Sequence, residues 1–172
     1  VTYTVTSNDN CSGSSVAQTA GLASGSTFPI GTTTNTFVVT DASNNSATCS
    51  FDVTVTDSEV PTITCNANIA VNNDNGVCGA AVTYTVTSND NCTGSSVAQT
   101  VGLASGSVFP IGTTTNTFVV TDASNNTATC SFDVVVTDAE VPTITCNANI
   151  AVNNDNGVCG AAVTYTVTSN DN

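Results

Sequence analysis

Cysteines and carboxylates carry most of the chemistry available to this chain. Its 172 residues include eight Cys and 13 acidic side chains but no Lys, Arg or His. The cysteines fall into two sets of four: Cys65, Cys78, Cys92 and Cys130, with counterparts at Cys146, Cys159, Cys11 and Cys49. An even number at fixed spacing in a small β-rich sequence reads as a disulfide framework, and so as an oxidising, extracellular or cell-surface setting. Zinc is the rival chemistry. It is disfavoured because no CxxC pair exists and no histidine can complete a site. Four cysteines allow three connectivities. Cys92 follows one strand pattern and Cys130 lies early in another, which places both near one end of a sheet. That favours Cys92–Cys130, with Cys65–Cys78 closing a first hairpin.

The carboxylates point to calcium or to nothing. Asp57 and Glu59, with their counterparts Asp138 and Glu140, gather at the joints between repeated segments. Asp74, Asp90 and Asp122 stand beside Asn carbonyls in loops. Hard oxygen donors of this kind suit Ca²⁺, although no twelve-residue EF-hand loop is present. The plainer reading makes the same residues turn formers and solubilising charge. Catalysis has little to work with. Ser and Thr are plentiful, but without His or Lys no serine-hydrolase arrangement can form. A glycosidase-type carboxylate pair would have to come from acids in turns, joints or outward strand positions. No catalytic residue and no organic cofactor is therefore expected.

A net charge of −13 without one compensating cation argues against nucleic acid and anionic membrane surfaces as partners. No apolar run approaches the roughly 20 residues of a membrane-spanning helix. Residue 1 falls inside a strand pattern, so targeting signals are expected outside this segment. Asn10, Asn44, Asn91 and Asn125 begin glycosylation sequons, which chance supplies in a chain so rich in Asn, Ser and Thr.

The elements that must position these residues follow from an internal repeat. Val1-Thr-Tyr-Thr-Val5 recurs at Val82 and again at Val163, a period of 81 residues. Six aligned positions differ: Ser12/Thr93, Ala20/Val101, Thr27/Val108, Ser46/Thr127, Thr54/Val135 and Ser58/Ala139. The joints fall at Asp57-Ser-Glu-Val-Pro61 and Asp138-Ala-Glu-Val-Pro142, where proline blocks ladder pairing. This phasing gives a partial repeat over 1–58, a complete one over 59–138 and a partial one over 139–172. Within the complete repeat, Pro61–Cys65 reads as a short strand continued by Ile69–Val71. Asn72–Gly76 reads as a turn. Ala80–Thr87 alternates as one half-buried strand, and Ser96–Val101 is a modest one. Gly102–Gly112 is a crossing loop or short edge strand. Thr115–Thr121 carries Phe118 and Val120 inward, Asp122–Asn126 turns the chain, and Thr127–Thr137 directs Cys130, Phe132, Val134 and Val136 to one face. Six or seven short strands without helical periodicity predict an all-β, two-sheet sandwich.

The order P-T-I-T-C, S-N-D-N-C, S-G-S-x-F-P-I-G-T-T and T-D-A-S-N-N-x-A-T-C-S-F-D-V resembles the hyalin repeat (HYR) family across the whole unit. The resemblance implies an immunoglobulin-like or fibronectin III-like fold in extracellular adhesion proteins. It further implies tandem arrays such as those of giant surface proteins in gliding Bacteroidetes. It also implies a bond between the first-strand cysteine and the last strand, Cys65–Cys130, in place of the pairing drawn from strand ends. The family's Asp-x-x-Gly-Asn turn reads Asp-Ala-Ser-Asn-Asn here, a departure that Asn absorbs at positive φ.

Near-identical tandem copies suit spacing better than a unique site. The expected role is a structural or adhesive spacer in a long surface protein or fibre, with neighbouring repeats as its immediate partners. The alternative is a glycan- or protein-binding module using the Asn89–Gly94 and Asp122–Asn126 loops, with calcium as a possible aid.

Overall fold

The computed structural model describes residues 1–171, which divide into two compact units, Val1–Glu59 and a second from Val60 onward. The first unit holds β1 (Ser15–Ala20), β2 (Gly31–Thr40) and β3 (Ser46–Val55) in one antiparallel sheet of order β1-β2-β3. Thr, Val and Phe dominate these strands, and such side chains pack well on a pleated surface.

The second unit begins with β4 (Thr62–Thr64), β5 (Ile69–Asn72), β6 (Gly79–Ala81) and β7 (Thr87–Asn89). It continues with β8 (Ser96–Val101), β9 (Val108–Pro110), β10 (Gly112–Thr121) and β11 (Thr127–Thr137). Two short strands, β12 (Thr143–Thr145) and β13 (Thr168–Asn170), close it. The main sheet has the order β5-β11-β10-β8. β10 and β11 pair antiparallel from Gly112↔Val136 to Thr121↔Thr127, while β5 joins β11 in parallel from Val134↔Ile69 to Thr137↔Asn72. The ribbons β4-β7 and β6-β9 form the second layer. The β2–β3 register, Gly31↔Val55 to Thr40↔Ser46, repeats that of β10–β11 pair for pair.

The core lies between the layers. Ala80, Val82, Phe109, Phe118, Phe132, Val134 and Val136 are buried together, with Ile63, Cys65, Ile69, Val71, Tyr84, Leu103 and Cys130 packed around them. The period-two alternation of β11 puts every second residue on that cluster, as expected from the sequence. Burying apolar area here drives folding at about 25 cal/mol per Å². The Tyr84 ring meets Phe132 edge-on at 5.0 Å and Phe118 at 5.8 Å, while Phe118 and Phe132 stack at 6.4 Å. Edge-to-face contacts of this kind add about 0.5–1.5 kcal/mol beyond area burial.

One expectation changes in detail. Ala80–Thr87 is not a single ladder strand: β6 pairs with β9, β7 pairs with β4, and residues 82–86 lie between them. The alternation survives, with Ala80 and Val82 buried and Tyr84 and Val86 half-buried. Its backbone bonds go elsewhere, because buried polar groups must be paired. The Val82 N–H donates to Ser107 O at 3.2 Å, and Val82 O accepts from Gly106 at 2.8 Å. The Tyr84 N–H donates to Ser105 Oγ at 2.8 Å, and the Thr85 N–H to Asn66 Oδ1 at 3.0 Å. Periodicity revealed the face of this segment but not its change of partner.

Candidate functional sites

Among the described residues the cysteine framework shows one disulfide, in the second unit. Cys65 and Cys130 form a disulfide with Cα atoms 5.8 Å apart and a sequence separation of 65. This is the pairing implied by the family resemblance, and it corrects the Cys92–Cys130 and Cys65–Cys78 scheme drawn from strand ends. The reason is facing rather than position along the strand. Cys130 shares the inward face of β11 with Phe132, so its sulfur meets the covering layer where β4 leads into Cys65. Cys92 follows β7 in a loop, off that face, and Cys78 follows the turn after β5; neither takes part in this bond.

Cys11, Cys49, Cys146 and Cys159 are exposed thiols. Cys49 pairs with Phe37 across β2–β3 in the register that Cys130 keeps with Phe118. The first unit, Val1–Glu59, contains no counterpart of β4 to bring a second sulfur to it. Cys146 follows β12 as Cys65 follows β4.

Acidic residues organise the loops. In the Asp122–Asn126 turn, Asp122 Oδ1 accepts the Ser124 N–H at 2.9 Å and the Asn126 N–H at 2.7 Å. Its Oδ2 accepts Asn126 Nδ2 at 2.7 Å. Asn125 takes φ 70°, the left-handed position at which Asn was expected to replace Gly. Burial of Asp122 pushes its carboxyl up, but the Asn126 side chain and the backbone donors of the turn outweigh it, leaving the group below the ordinary 3.8. The Asp41–Asn45 turn repeats the arrangement, with Asn44 at φ 66°. There the Asn45 side chain leads the effects that lower Asp41.

Asp90 approaches the same turn from the Asn89–Gly94 loop. Its carboxylate and that of Asp122 have oxygens within 4.8 Å of each other. Asp90 Oδ2 accepts the Cys92 N–H at 3.3 Å, whereas Oδ1 is buried without a hydrogen-bond partner. The first unit repeats this feature: Asp9 Oδ2 is likewise buried and unpartnered, and Asp9 and Asp41 line a cleft of about 210 Å³ with Asn8 and Asn45. Two carboxylates brought close with an oxygen unsatisfied is an arrangement that a hard cation would relieve.

Of the four joint acids expected to hold calcium, Asp57, Asp138 and Glu140 accept backbone N–H groups. Asp57 Oδ1 accepts the Glu59 N–H and Asp138 Oδ1 the Glu140 N–H, each at 3.1 Å. Glu140 Oε2 accepts the Gly76 N–H at 2.7 Å.

Sequence reasoning missed a buried polar staple. Asn116 is fully buried in phase with Phe118 and Val120. Its Oδ1 accepts the Leu103 N–H at 2.9 Å and Gln99 Nε2 at 3.3 Å, and its Nδ2 donates to Thr114 O at 3.4 Å. The Tyr84 hydroxyl donates to Leu103 O at 2.5 Å. Gly102 holds φ +95°, and a Cβ there would collide with the Asn116 side chain. The readable signal was an amide at an inward position of an otherwise apolar face.

Comparison with known proteins places this geometry. The HYR domain profile matches residues 1–55 and 56–136. Hyalin of Strongylocentrotus purpuratus is 38% identical over 127 residues, covering 72% of this chain and 11% of that protein. The serine-rich adhesin for platelets of Staphylococcus aureus strain MSSA476 is 33% identical over 153 residues, covering 74% of this chain and 6% of the adhesin. The chain thus spans a small fraction of the relatives it matches. Among solved structures, a protocadherin gammaB7 EC3-6 cis-dimer aligns with 83% of this chain and 40% of its own, at 14% identity and a TM-score of 0.36.

Proposed function

The chain belongs to the HYR domain family, and from that premise we propose that it is a spacer segment of an extracellular cell-adhesion protein. The observation that carries this reading is the repetition of one module. Two copies differing at six positions build the same three-strand ladder in the same register, down to the Asp-Ala-Ser-Asn-Asn turn and the buried Asn. Such repetition adds length, and each module stabilises itself and its neighbour without needing a unique site. The adhesive relatives support the setting, and a family disulfide suits the oxidising exterior. The Bacteroidetes-type array is one such setting. Small-angle scattering of arrays of two, four and eight repeats tests the proposal. The maximum dimension should rise by a constant increment per repeat, and collapse into compact particles would refute it.

A second reading, a cation-dependent binding module, is favoured by one observation: Asp90 Oδ1 is buried and unpartnered beside the Asp122 carboxylate. The acids involved belong to the Asn89–Gly94 and Asp122–Asn126 loops rather than to Asp138 and Glu140. Asp90 and Asp122 would hold the ion through carboxylate oxygens, and Ca²⁺ suits them better than Mg²⁺, which tolerates irregular geometry poorly. Thermal melts with Ca²⁺, Mg²⁺ and chelator decide it. A Ca²⁺-specific rise in Tm that Asp90→Asn abolishes supports the reading, and identical melts in all three conditions sink it.

A further inference from the structure

The Asn73–Gly76 turn ends β5 beside the strand that leaves the domain. The Asn73 N–H donates to Thr137 O at 2.9 Å, and its Oδ1 accepts the Ala139 N–H at 3.0 Å. The Gly76 N–H donates to Glu140 Oε2 at 2.7 Å. One turn therefore holds two groups along the departing backbone and the glutamate at its end.

The turn does not depend on that glutamate for its shape. Its own bonds are Asp74 N–H to Gly79 O at 2.7 Å, Val77 N–H to Asp74 O at 3.0 Å and Ala81 N–H to Asp74 Oδ2 at 2.8 Å. Gly76 has φ 72°. The same sequence recurs at 154–162. There Asp155 N–H donates to Gly160 O at 2.7 Å, Val158 N–H to Asp155 O at 3.1 Å and Ala162 N–H to Asp155 Oδ2 at 3.0 Å, and Gly157 has φ 80°. Among the described residues no carboxylate is recorded on the Gly157 N–H. The cradle is thus built alike with and without an occupant.

We propose that the Asn73–Gly76 turn is a preformed receptor for the linker leaving its own domain, with the Glu140 carboxylate as its ligand, and that this docking fixes the direction in which the next repeat starts. A backbone N–H on an exposed turn is otherwise hydrated, and a carboxylate is the strongest acceptor a side chain offers it. Position 139 contributes only its N–H, which explains why Ser58 and Ala139 differ between the joints while Glu59 and Glu140 agree. The proposal deepens the spacer reading: stiffness at the joint comes from hydrogen bonds to the preceding domain.

Amide hydrogen exchange of the intact chain provides the test, with an internal control. Gly76 and Gly157 have the same neighbours, Asn75 and Val77 against Asn156 and Val158, so their intrinsic exchange rates match. Gly76 should exchange at least about fivefold more slowly than Gly157, the scale of one hydrogen bond to a charged acceptor at an exposed position. Glu140→Ala should bring Gly76 to within about twofold of Gly157, leave the thermal transition of the core in place and raise the backbone mobility of β12 in ¹⁵N relaxation. Equal rates in the unaltered chain, or protection of Gly76 that survives Glu140→Ala, overturn the proposal. Arrays that collapse in solution would refute the spacer reading while leaving this exchange ratio intact, so the two failures are distinguishable.

Discussion

Replacing Cys65 and Cys130 together by alanine removes the disulfide between them, and the expected loss follows from the length of loop it closes. The residues are 65 apart in sequence. Chain-entropy reasoning for a loop of that size gives about 4.4 kcal/mol of stabilisation, most of it exerted on the unfolded chain. A domain of about 80 residues unfolds with an entropy near 0.17 kcal/mol/K, so the variant should melt about 25 °C lower. Both sulfurs also touch the core cluster, which adds a smaller packing loss in the same direction. Urea unfolding followed by circular dichroism, with calorimetry for Tm, measures the change. The denaturant dependence should steepen, because the freed unfolded chain exposes more surface. Cys159→Ser, at an exposed thiol, serves as control and should leave the transition unmoved. A loss under about 1 kcal/mol for the double variant would refute the loop-closure argument, since that is below what even a 15-residue loop contributes.

Other outcomes follow from the polar staple and the turn. Asn116→Ala leaves the part-buried Leu103 N–H without its acceptor and should cost about 1–3 kcal/mol in urea unfolding, whereas Thr113→Ala on the outward side should change stability by less than about 0.5 kcal/mol. Gly102→Ala combines a positive φ with a collision against Asn116 and should lower the urea midpoint by the equivalent of about 2 kcal/mol or more. Asp41 and Asp122 both lie below their ordinary 3.8 in the folded chain. Their contribution is therefore fully present above the unfolded value and lost as pH falls through the lower folded one. Stability measured from pH 6 down to 2 should drop below about pH 4, and Asp122→Asn should flatten that drop in the second unit.

Much of this fold was legible because its signals are local. The strict alternation of Thr127–Thr137 identified the inward row, and the Asp122–Asn126 turn followed from residues that tolerate positive φ. What escaped depended on facing and on distant partners. The change of partner within Ala80–Thr87 is invisible because both β6 and β7 keep the same faces while pairing with different strands. Connectivity drawn from strand ends failed because Cys130 points into the core rather than along the sheet edge. Asn116 was passed over although its inward phase was readable, because the donors to its Oδ1 lie 13 and 17 residues away. The approach of Asp90 to Asp122 joins two loops 32 residues apart, a distance that turn chemistry cannot predict.

The parallel pairing of β5 with β11 has a mechanical consequence. Tension entering at Val60 reaches Cys65 within a few residues, crosses the disulfide to Cys130 and leaves through β11 toward Thr137. Residues 66–129, which include β10 and most of the aromatic core, lie in a covalently bypassed loop that no pull on the chain ends can unravel. Beyond the bond, β5 lies alongside the outgoing β11 over four residue pairs, so sliding that strand out would break their hydrogen bonds in shear rather than one at a time.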